Sequence, residues 1–177
     1  IRTSFNLIGP LTNPAGARRA LIGVGAPDTA ARIAEVAGVL GTDRTLVVHG
    51  AGVDELPLDG SGVLYDVADG RVATRPVDAA ALGLGAAPTG ALAGGTADEN
   101  AAIVESIFAG ETGPRRDVVL LNAGAALVAA GSARDIREGI DAAAGALDGG
   151  RPAELLAELR AEKAAADALV PTAPATA

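Results

Sequence analysis

Two adjacent carboxylates, Asp54 and Glu55, follow a glycine-rich turn and are the side chains best suited to chemistry in this sequence. Residues 44–48, which precede the turn, are mostly β-branched or apolar, as in an inner strand of a parallel sheet. Gly50 and Gly52 let the chain turn sharply at the carboxyl end of that strand, where ligands of open α/β sheets usually bind. Two carboxylates there suit Mg²⁺, which takes one or two protein carboxylates plus phosphate oxygens. The alternative is that both residues cap a following helix.

Four further features carry polar groups, and each has a simpler structural explanation. The Arg2 guanidinium suits a carboxylate or phosphate, although an arginine near a chain end is more often a solvated surface residue. Residues 94–98 could cradle phosphate before a helix, but they lack the lysine and second glycine of a P-loop. His49, the single histidine, is expected to be structural or to support the site. Asn122 lies among apolar residues and should hydrogen-bond a neighbouring backbone.

The composition predicts a globular domain and is consistent with a reducing compartment. The 177 residues are 49% hydrophobic and only 2% aromatic, so Val, Leu, Ile and Ala must build the core. A net charge of −8 without a basic cluster argues against nucleic acid as a partner. The absence of cysteine excludes disulfides and thiolate metal sites and fits a cytoplasmic location. The most apolar run, Val118 to Ala130, is too short to span a bilayer, so no membrane partner is expected.

The chain from Leu21 to Val48 is predicted to form a β-α-β unit, with parallel strands over Leu21–Val24 and Thr45–Val48. The helix between them, Asp28 to Leu40, has apolar residues at the spacing of one buried face, namely Ile33, Val36, Ala37 and Leu40. Gly23-Val24-Gly25 precedes this helix. The third glycine of a dinucleotide fingerprint is absent, because position 28 is Asp, so no NAD site is expected.

The rest of the chain predicts a hairpin followed by helices. Residues 62–68 and 71–77 are β-like runs joined by Asp69-Gly70, a type I′ turn signal, and this hairpin is expected to decorate the sheet. Helices are predicted over residues 98–109, 117–130 and 152–169, and another from a cap at Ser132 to Gly149. The predicted fold is therefore α/β, with a largely parallel sheet flanked by helices. Residues 171–177 are predicted to be a disordered tail.

Three stretches together resemble the C-terminal half of anthranilate phosphoribosyltransferase in their order and spacing. They are Arg2 to Pro14 (Arg-Thr-Ser-Phe-Asn-Leu-Ile-Gly-Pro-Leu-Thr-Asn-Pro), His49-Gly50 followed by Asp54-Glu55, and Arg116 to Ala123 (Arg-Asp-Val-Val-Leu-Leu-Asn-Ala). The first stretch is the most specific, and the resemblance extends to about Leu159. It implies a nucleoside phosphorylase/phosphoribosyltransferase-like α/β domain, with residues 1–170 as the C-terminal part of the catalytic domain.

The resemblance also implies an activity. This family joins anthranilate to 5-phosphoribosyl 1-diphosphate in tryptophan biosynthesis, releases diphosphate, uses Mg²⁺ and usually works as a homodimer. By resemblance, Arg2 matches the arginine that binds anthranilate, and Asp54 and Glu55 match the pair that holds Mg²⁺. No side chain is an evident general base, so no catalytic residue is assigned.

Parts of the family pattern have no counterpart here, namely its N-terminal helical domain, its Gly-Thr-Gly-Gly-Asp loop and its Lys-His-Gly-Asn stretch. We therefore expect the chain to be a fragment of a longer enzyme and to leave some apolar surface uncovered. Two alternative functions are a related pyrimidine nucleoside phosphorylase and a non-catalytic binding or assembly module. The stretch from Arg2 to Pro14 argues against the phosphorylase.

Overall fold

A computed structural model describes residues 9–169, in which a four-stranded sheet lies between helices. The strands are β1 (Arg19–Gly23), β2 (Arg44–His49), β3 (Gly62–Ala68) and β4 (Arg71–Val77). The α-helices are α1 (Pro27–Val39), α2 (Ala97–Phe108), α3 (Pro114–Ala130), α4 (Ile136–Asp148) and α5 (Arg151–Leu169). Three short 3-10 helices span Gly9–Leu11, Ala80–Leu82 and Thr89–Leu92. Arg2 and the predicted tail, residues 171–177, lie outside the described residues.

The β-α-β prediction is confirmed. β1 and β2 pair in parallel, with Leu21 opposite Leu46 and Ile22 opposite Val47. The intervening α1 begins at Pro27, where the fixed φ of proline suits the first helical position and its missing N–H is not needed. Because β2 runs parallel to β1, the carboxyl ends of both strands lie at the same edge of the sheet.

The buried face of α1 differs from the predicted one. Its buried residues are Ala30, Ile33, Ala34 and Ala37, which pack with Val47 and Val67 of the sheet. Val36 and Leu40 are instead 44% and 56% exposed. The helix turns its alanines to the sheet because small side chains allow close approach, and a Cβ on Gly38 would already lie 3.6 Å from the Gly70 carbonyl oxygen. Val36, Val39 and Leu40 therefore lie at the surface of α1, against the prediction for Val36 and Leu40.

The hairpin is confirmed, but it extends the sheet rather than decorating it. Asp69 and Gly70 have φ values of 51° and 70°, the left-handed backbone that a type I′ turn requires. β3 pairs antiparallel with β2 as well as with β4. The described sheet, in the order β1-β2-β3-β4, is therefore mixed, and the expected largely parallel arrangement holds only for β1 and β2.

Helices α3 and α4 cover the other face of the sheet. Buried residues of α3, including Leu120, Leu121 and Val128, join Leu46 and Leu64 of the strands in one core. The two helices meet at glycines, since a Cβ on Gly139 would lie 2.4 Å from the Gly124 carbonyl oxygen. The predicted apolar run lies inside α3. Within residues 9–169, none of the helices is long and apolar enough to cross a membrane.

Helix α4 begins later than predicted. Its N-cap is Asp135, whose side chain accepts a hydrogen bond from the Glu138 amide at 2.9 Å. Ser132 does not cap it, because this residue belongs to the turn that ends α3, where its amide donates to the Leu127 carbonyl at 2.9 Å. Gly131 precedes that turn with a φ of 81°. The predicted cap, Ser132, is therefore three residues before the observed N-cap, Asp135.

Two arginines attach the carboxyl end of α3 to the amino ends of the strands. Arg19 of β1 donates to the Ala129 carbonyl and Arg44 of β2 donates to the Val128 carbonyl, each at 3.3 Å. Positive side chains are favoured at this end of a helix by its dipole. Arg44 also forms a two-bond ion pair with Asp66 of β3, at 2.9 and 3.2 Å. The cluster fixes α3 across the sheet.

Candidate functional site

The carboxylate pair lies on an irregular segment at the carboxyl end of β2. Residues 50–61 connect β2 to β3 without a helix or strand, and Asp54 and Glu55 within them are exposed. The next residues, Leu56 to Leu58, are buried. The alternative that the pair caps a helix is wrong, because the element that follows is β3. Both carboxylates are thus held at the surface by a buried anchor.

The first part of this turn depends on its glycines. The Gly50 amide donates to the Val53 carbonyl at 3.1 Å, and Gly52 has a left-handed φ of 83°. A Cβ on Gly50 would lie 2.4 Å from Cγ of Pro57, so a side chain at this position would displace the returning chain. The sequence prediction of a sharp glycine turn is confirmed.

The end of β1 packs directly against the carboxylate turn. A Cβ on Gly23 would lie 1.7 Å from the Asp54 carbonyl oxygen, a separation that two non-bonded atoms cannot adopt. A Cβ on Gly25 would lie 3.5 Å from the Gly52 carbonyl oxygen, an ordinary contact. The Gly-Val-Gly sequence therefore serves close backbone approach, which sequence reasoning missed when it considered only a dinucleotide site.

Asp59 and Ser61 hydrogen-bond within the segment 50–61 and connect its last residues to its first. The Ser61 hydroxyl donates to Asp59 at 2.6 Å and accepts from the Ala51 amide at 3.1 Å. Hydrogen bonds from the Ser61 hydroxyl and then from its amide hold the pKa of Asp59 below its ordinary value. The two ends of the segment are thereby tied together near the carboxylate pair.

The two other polar residues near the segment have structural contacts. Asn122 of α3 bonds the backbone of Leu56, which confirms the prediction that it would find a neighbouring backbone. His49 is buried, its Nδ1 lies 3.4 Å from the Gly50 carbonyl oxygen, and its ring stacks on Tyr65 with a centroid separation of 6.1 Å. These contacts are those of a packed side chain that ends β2.

The side chains of Asp54 and Glu55 are exposed carboxylates of this segment. Neither makes a hydrogen bond or ion pair with any residue in the range 9–169. Across the same residues, no three His, Cys, Asp or Glu side chains cluster as a complete metal-binding group. Two exposed carboxylates fit Mg²⁺, because this ion commonly completes its coordination with water and substrate phosphates rather than with a full protein cage. The donor set of the turn therefore suits that ion.

The Gly94-Gly95 loop is hydrogen-bonded to the first turn of α2. The Thr96 amide donates to Glu99 at 2.7 Å and the Gly95 amide donates to Asn100 at 2.9 Å, so side chains of α2 already occupy both groups. Thr96 and Glu99 form a capping box, and the Thr96 amide and hydroxyl hold the pKa of Glu99 below its ordinary value. This loop starts a helix.

Comparison with known proteins matches this chain to one family over most of its length. The profile described as "Glycosyl transferase family, a/b domain" matches residues 1–153. The anthranilate phosphoribosyltransferase of Pelotomaculum thermopropionicum is 50% identical over 160 residues, which are 90% of this chain. The crystal structure of the enzyme of that name from Thermus thermophilus is 42% identical, with a TM-score of 0.79 over 89% of this chain.

A third relative is known from a structure that contains ligands. The anthranilate phosphoribosyltransferase from Saccharomyces cerevisiae, in complex with PRPP and Mg, is 25% identical with a TM-score of 0.73 over 85% of this chain. The chain spans about half the length of these relatives, namely 46% of the Pelotomaculum protein, 47% of the Thermus chain and 44% of the yeast chain.

Proposed function

We propose that this chain, which belongs to the glycosyl transferase a/b-domain family, is the part of an anthranilate phosphoribosyltransferase that holds Mg²⁺ at the donor diphosphate. The reaction transfers the phosphoribosyl group of 5-phosphoribosyl 1-diphosphate to the amine of anthranilate, giving N-(5-phosphoribosyl)anthranilate and diphosphate. Residues 1–170 serve as the C-terminal part of the α/β catalytic domain. The observation that carries the proposal is the exposed Asp54–Glu55 pair at the end of β2, whose side chains have no partner among residues 9–169, in a chain whose relatives bear that name.

The electrostatics of the chain support a bound cation. Both substrates are anionic and the chain has a net charge of −8, so a carboxylate pair cannot approach a diphosphate without an ion of opposite sign between them. Mg²⁺ held by Asp54 and Glu55 supplies that charge and stabilises the diphosphate as it leaves. A pair on a turn can direct both carboxylates to one ion, whereas successive side chains of a regular strand point to opposite faces.

This assignment gives the chain a positioning role. Neither Asp54 nor Glu55 needs to transfer a proton, since the work asked of them is to hold charge in place while anthranilate is oriented towards the ribose carbon. The rate of transfer should then depend on how accurately the turn is fixed. The short contacts of the turn with β1 and α3 support that requirement.

The test of the metal role is the double variant Asp54→Asn, Glu55→Gln in the intact protein. Two negative charges are lost while size is kept, so the variant should fold normally and require much more Mg²⁺ for the same rate. A matched control is Glu154→Gln, Glu158→Gln, which removes two exposed carboxylates from α5 and should leave the Mg²⁺ dependence unchanged. If both double variants keep the wild-type Mg²⁺ dependence, the metal lies elsewhere.

The same assay separates the metal role from acid–base chemistry. If the pair acted as a general base, the loss in the variant would be insensitive to Mg²⁺, and wild-type activity would fall at low pH along a carboxylate titration. Phosphorolysis of a pyrimidine nucleoside without transfer to anthranilate would instead support the nucleoside phosphorylase alternative.

We extend the proposal to Arg2, which recognises the anthranilate carboxylate as the resemblance implies. Replacing it with alanine removes a charge-assisted contact worth about 1.5–3 kcal/mol. The KM for anthranilate should therefore rise roughly tenfold to hundredfold, with a much smaller change for the phosphoribosyl donor. Arg71→Ala, at an exposed position of β4, is the matched control. An unchanged anthranilate KM in the Arg2 variant would exclude this role.

The resemblance supports two further statements about the intact protein, namely that it is a cytoplasmic enzyme and works as a homodimer. Light scattering at working concentration tests the second statement. A monomer with full transferase activity would contradict it.

A further inference from the structure

Asn122 joins helix α3 to the segment that carries the carboxylate pair. Its Oδ1 accepts a hydrogen bond from the Leu56 amide at 2.9 Å, and its Nδ2 donates to the Leu56 carbonyl at 2.9 Å. The same Nδ2 donates to the Val118 carbonyl at 3.0 Å, one turn earlier in α3. The side chain therefore pairs with both polar groups of one residue, as a neighbouring strand would, and is itself fixed to its own helix.

The bonded residue is the one that immediately follows the carboxylate pair. Leu56 is fully buried, whereas Glu55 and Asp54 before it are exposed. A shift of the Leu56 backbone must move the Glu55 carbonyl that is bonded to it, and with it the direction of the Glu55 side chain. Asn122 thus acts on the residue next to the proposed metal ligands without touching them.

The opposite side of the turn is also fixed. The Asp54 carbonyl packs against Gly23 of β1, where a Cβ would lie 1.7 Å away. Steric contact with β1 limits movement of the turn in one direction, and the hydrogen bonds from α3 restrain the residue after it. The pair is therefore held between two secondary-structure elements, which is how sites that need accurate geometry are supported.

From these contacts we infer that Asn122 is a positioning residue, which sets the backbone at Leu56 so that Asp54 and Glu55 bind one Mg²⁺ together; this rests on the proposed function. An amide is needed because it supplies a donor and an acceptor at once. Aspartate at this position would keep the acceptor for the Leu56 amide but lose both donated bonds. Leucine, of similar size, would lose all three.

The test compares Asn122→Asp and Asn122→Leu with a matched control in the intact protein. Asn100 is the control because it bonds both polar groups of Gly95 in the same way, at 2.9 and 3.2 Å, in the loop before α2. The first measurement is the Mg²⁺ concentration that gives half the maximal transfer rate. The second is the Mg²⁺-dependent rise of the melting temperature with inorganic diphosphate, which does not require turnover. Hydrogen–deuterium exchange over residues 50–61 reports the Leu56 amide directly.

In Asn122→Leu, we expect the Mg²⁺ requirement to rise about tenfold in both measurements, as when supporting contacts of a metal site are lost. Exchange over residues 50–61 should become faster. Asn122→Asp should show a smaller rise, and it carries the test if the leucine variant does not fold. Asn100→Leu should leave the Mg²⁺ requirement unchanged.

Two results would overturn the inference. If exchange becomes faster in the Asn122 variants while their Mg²⁺ requirement stays at the wild-type value, Asn122 only stabilises the fold. The double variant Asp54→Asn, Glu55→Gln is measured in parallel to separate this failure from that of the metal site. If its Mg²⁺ requirement rises and that of the Asn122 variants does not, only the positioning role is wrong. If the double variant is also unchanged, both proposals are wrong.

Discussion

Replacing Gly23 with alanine should disturb the carboxylate turn more than its single added carbon suggests. The new Cβ would lie 1.7 Å from the Asp54 carbonyl oxygen. Carbon and oxygen atoms in close contact are about 3.3 Å apart, so the two backbones must separate by about 1.6 Å. The obstacle is main chain on both sides, which cannot rotate away as the end of a side chain can. The displacement must therefore be taken up by β1, by the turn, or by both.

Two effects are expected from this displacement. Forcing an extra methyl group into a packed site typically costs about 1–3 kcal/mol of folding free energy. A misplacement of roughly 1 Å in groups that position a substrate can cost about a hundredfold in rate. Gly25→Ala is the matched control, because its Cβ would lie 3.5 Å from the Gly52 carbonyl oxygen and needs no adjustment. Its stability should be unchanged or slightly higher.

The assay is urea unfolding together with the rate of phosphoribosyl transfer at saturating Mg²⁺, measured for both glycine variants and the wild type. Gly23→Ala should lose stability and activity, and a crystal structure should show Asp54 displaced from β1. A Gly23→Ala protein as stable and active as Gly25→Ala would refute the close packing of β1 against the turn, and with it the inference that this contact restrains the proposed metal ligands.

Two further predictions concern the framework around the site. Asp66→Ala should lower the free energy of unfolding by about 1.5–3 kcal/mol, because Arg44 loses two charge-assisted bonds in a partly buried position. The control is Asp43→Ala, which breaks the exposed ion pair of Asp43 with Arg18 and should cost less than about 1 kcal/mol of the free energy of unfolding. Equal losses in the two variants would contradict a larger contribution from the partly buried pair. Hydrogen bonds from Ser61 lower the pKa of Asp59 in the folded state. The ionised Asp59 therefore contributes its full stabilisation of the fold above the ordinary pKa of 3.8, and this contribution is lost as the pH falls through the lower pKa of the folded protein. Asp59→Asn should therefore lose less stability than wild type in urea titrations between about pH 7 and about pH 3, and identical acid sensitivity would exclude this contribution.

The local signals in the sequence were sufficient for much of the fold. Asp69-Gly70 specifies its own turn, since both residues must adopt positive φ, and the flanking runs form β3 and β4 over the predicted residues. The β-α-β unit followed from two apolar strands and the helix between them. The location of Asp54 and Glu55 at a strand end was also predictable, because glycines and the apolar run mark where β2 stops.

The contacts that hold the site could not be read from the sequence, because they join distant residues. Gly23 meets Asp54, and Asn122 meets Leu56 from a helix 66 residues away. The buried face of α1 was misjudged for the same reason, since its orientation depends on the sheet and on the turn at Gly70. The cap of α4 was misplaced because Ser132 and Asp135 are both good caps, and the turn that ends α3 decides between them.

Helix α3 is attached to the rest of the domain at two points along its length. Arg19 and Arg44 fix its carboxyl end to the amino ends of the strands, and Asn122 fixes its middle to the chain beyond the carboxyl end of β2. On α3 these attachments, at Val128 and Asn122, are six residues apart, which is about 9 Å along the helix axis. The carboxylate turn is therefore supported by contacts with β1 and α3 in addition to the hydrogen bonds within its own irregular backbone. One helix thus contacts both the amino ends of β1 and β2 and the residue that follows the carboxylate pair.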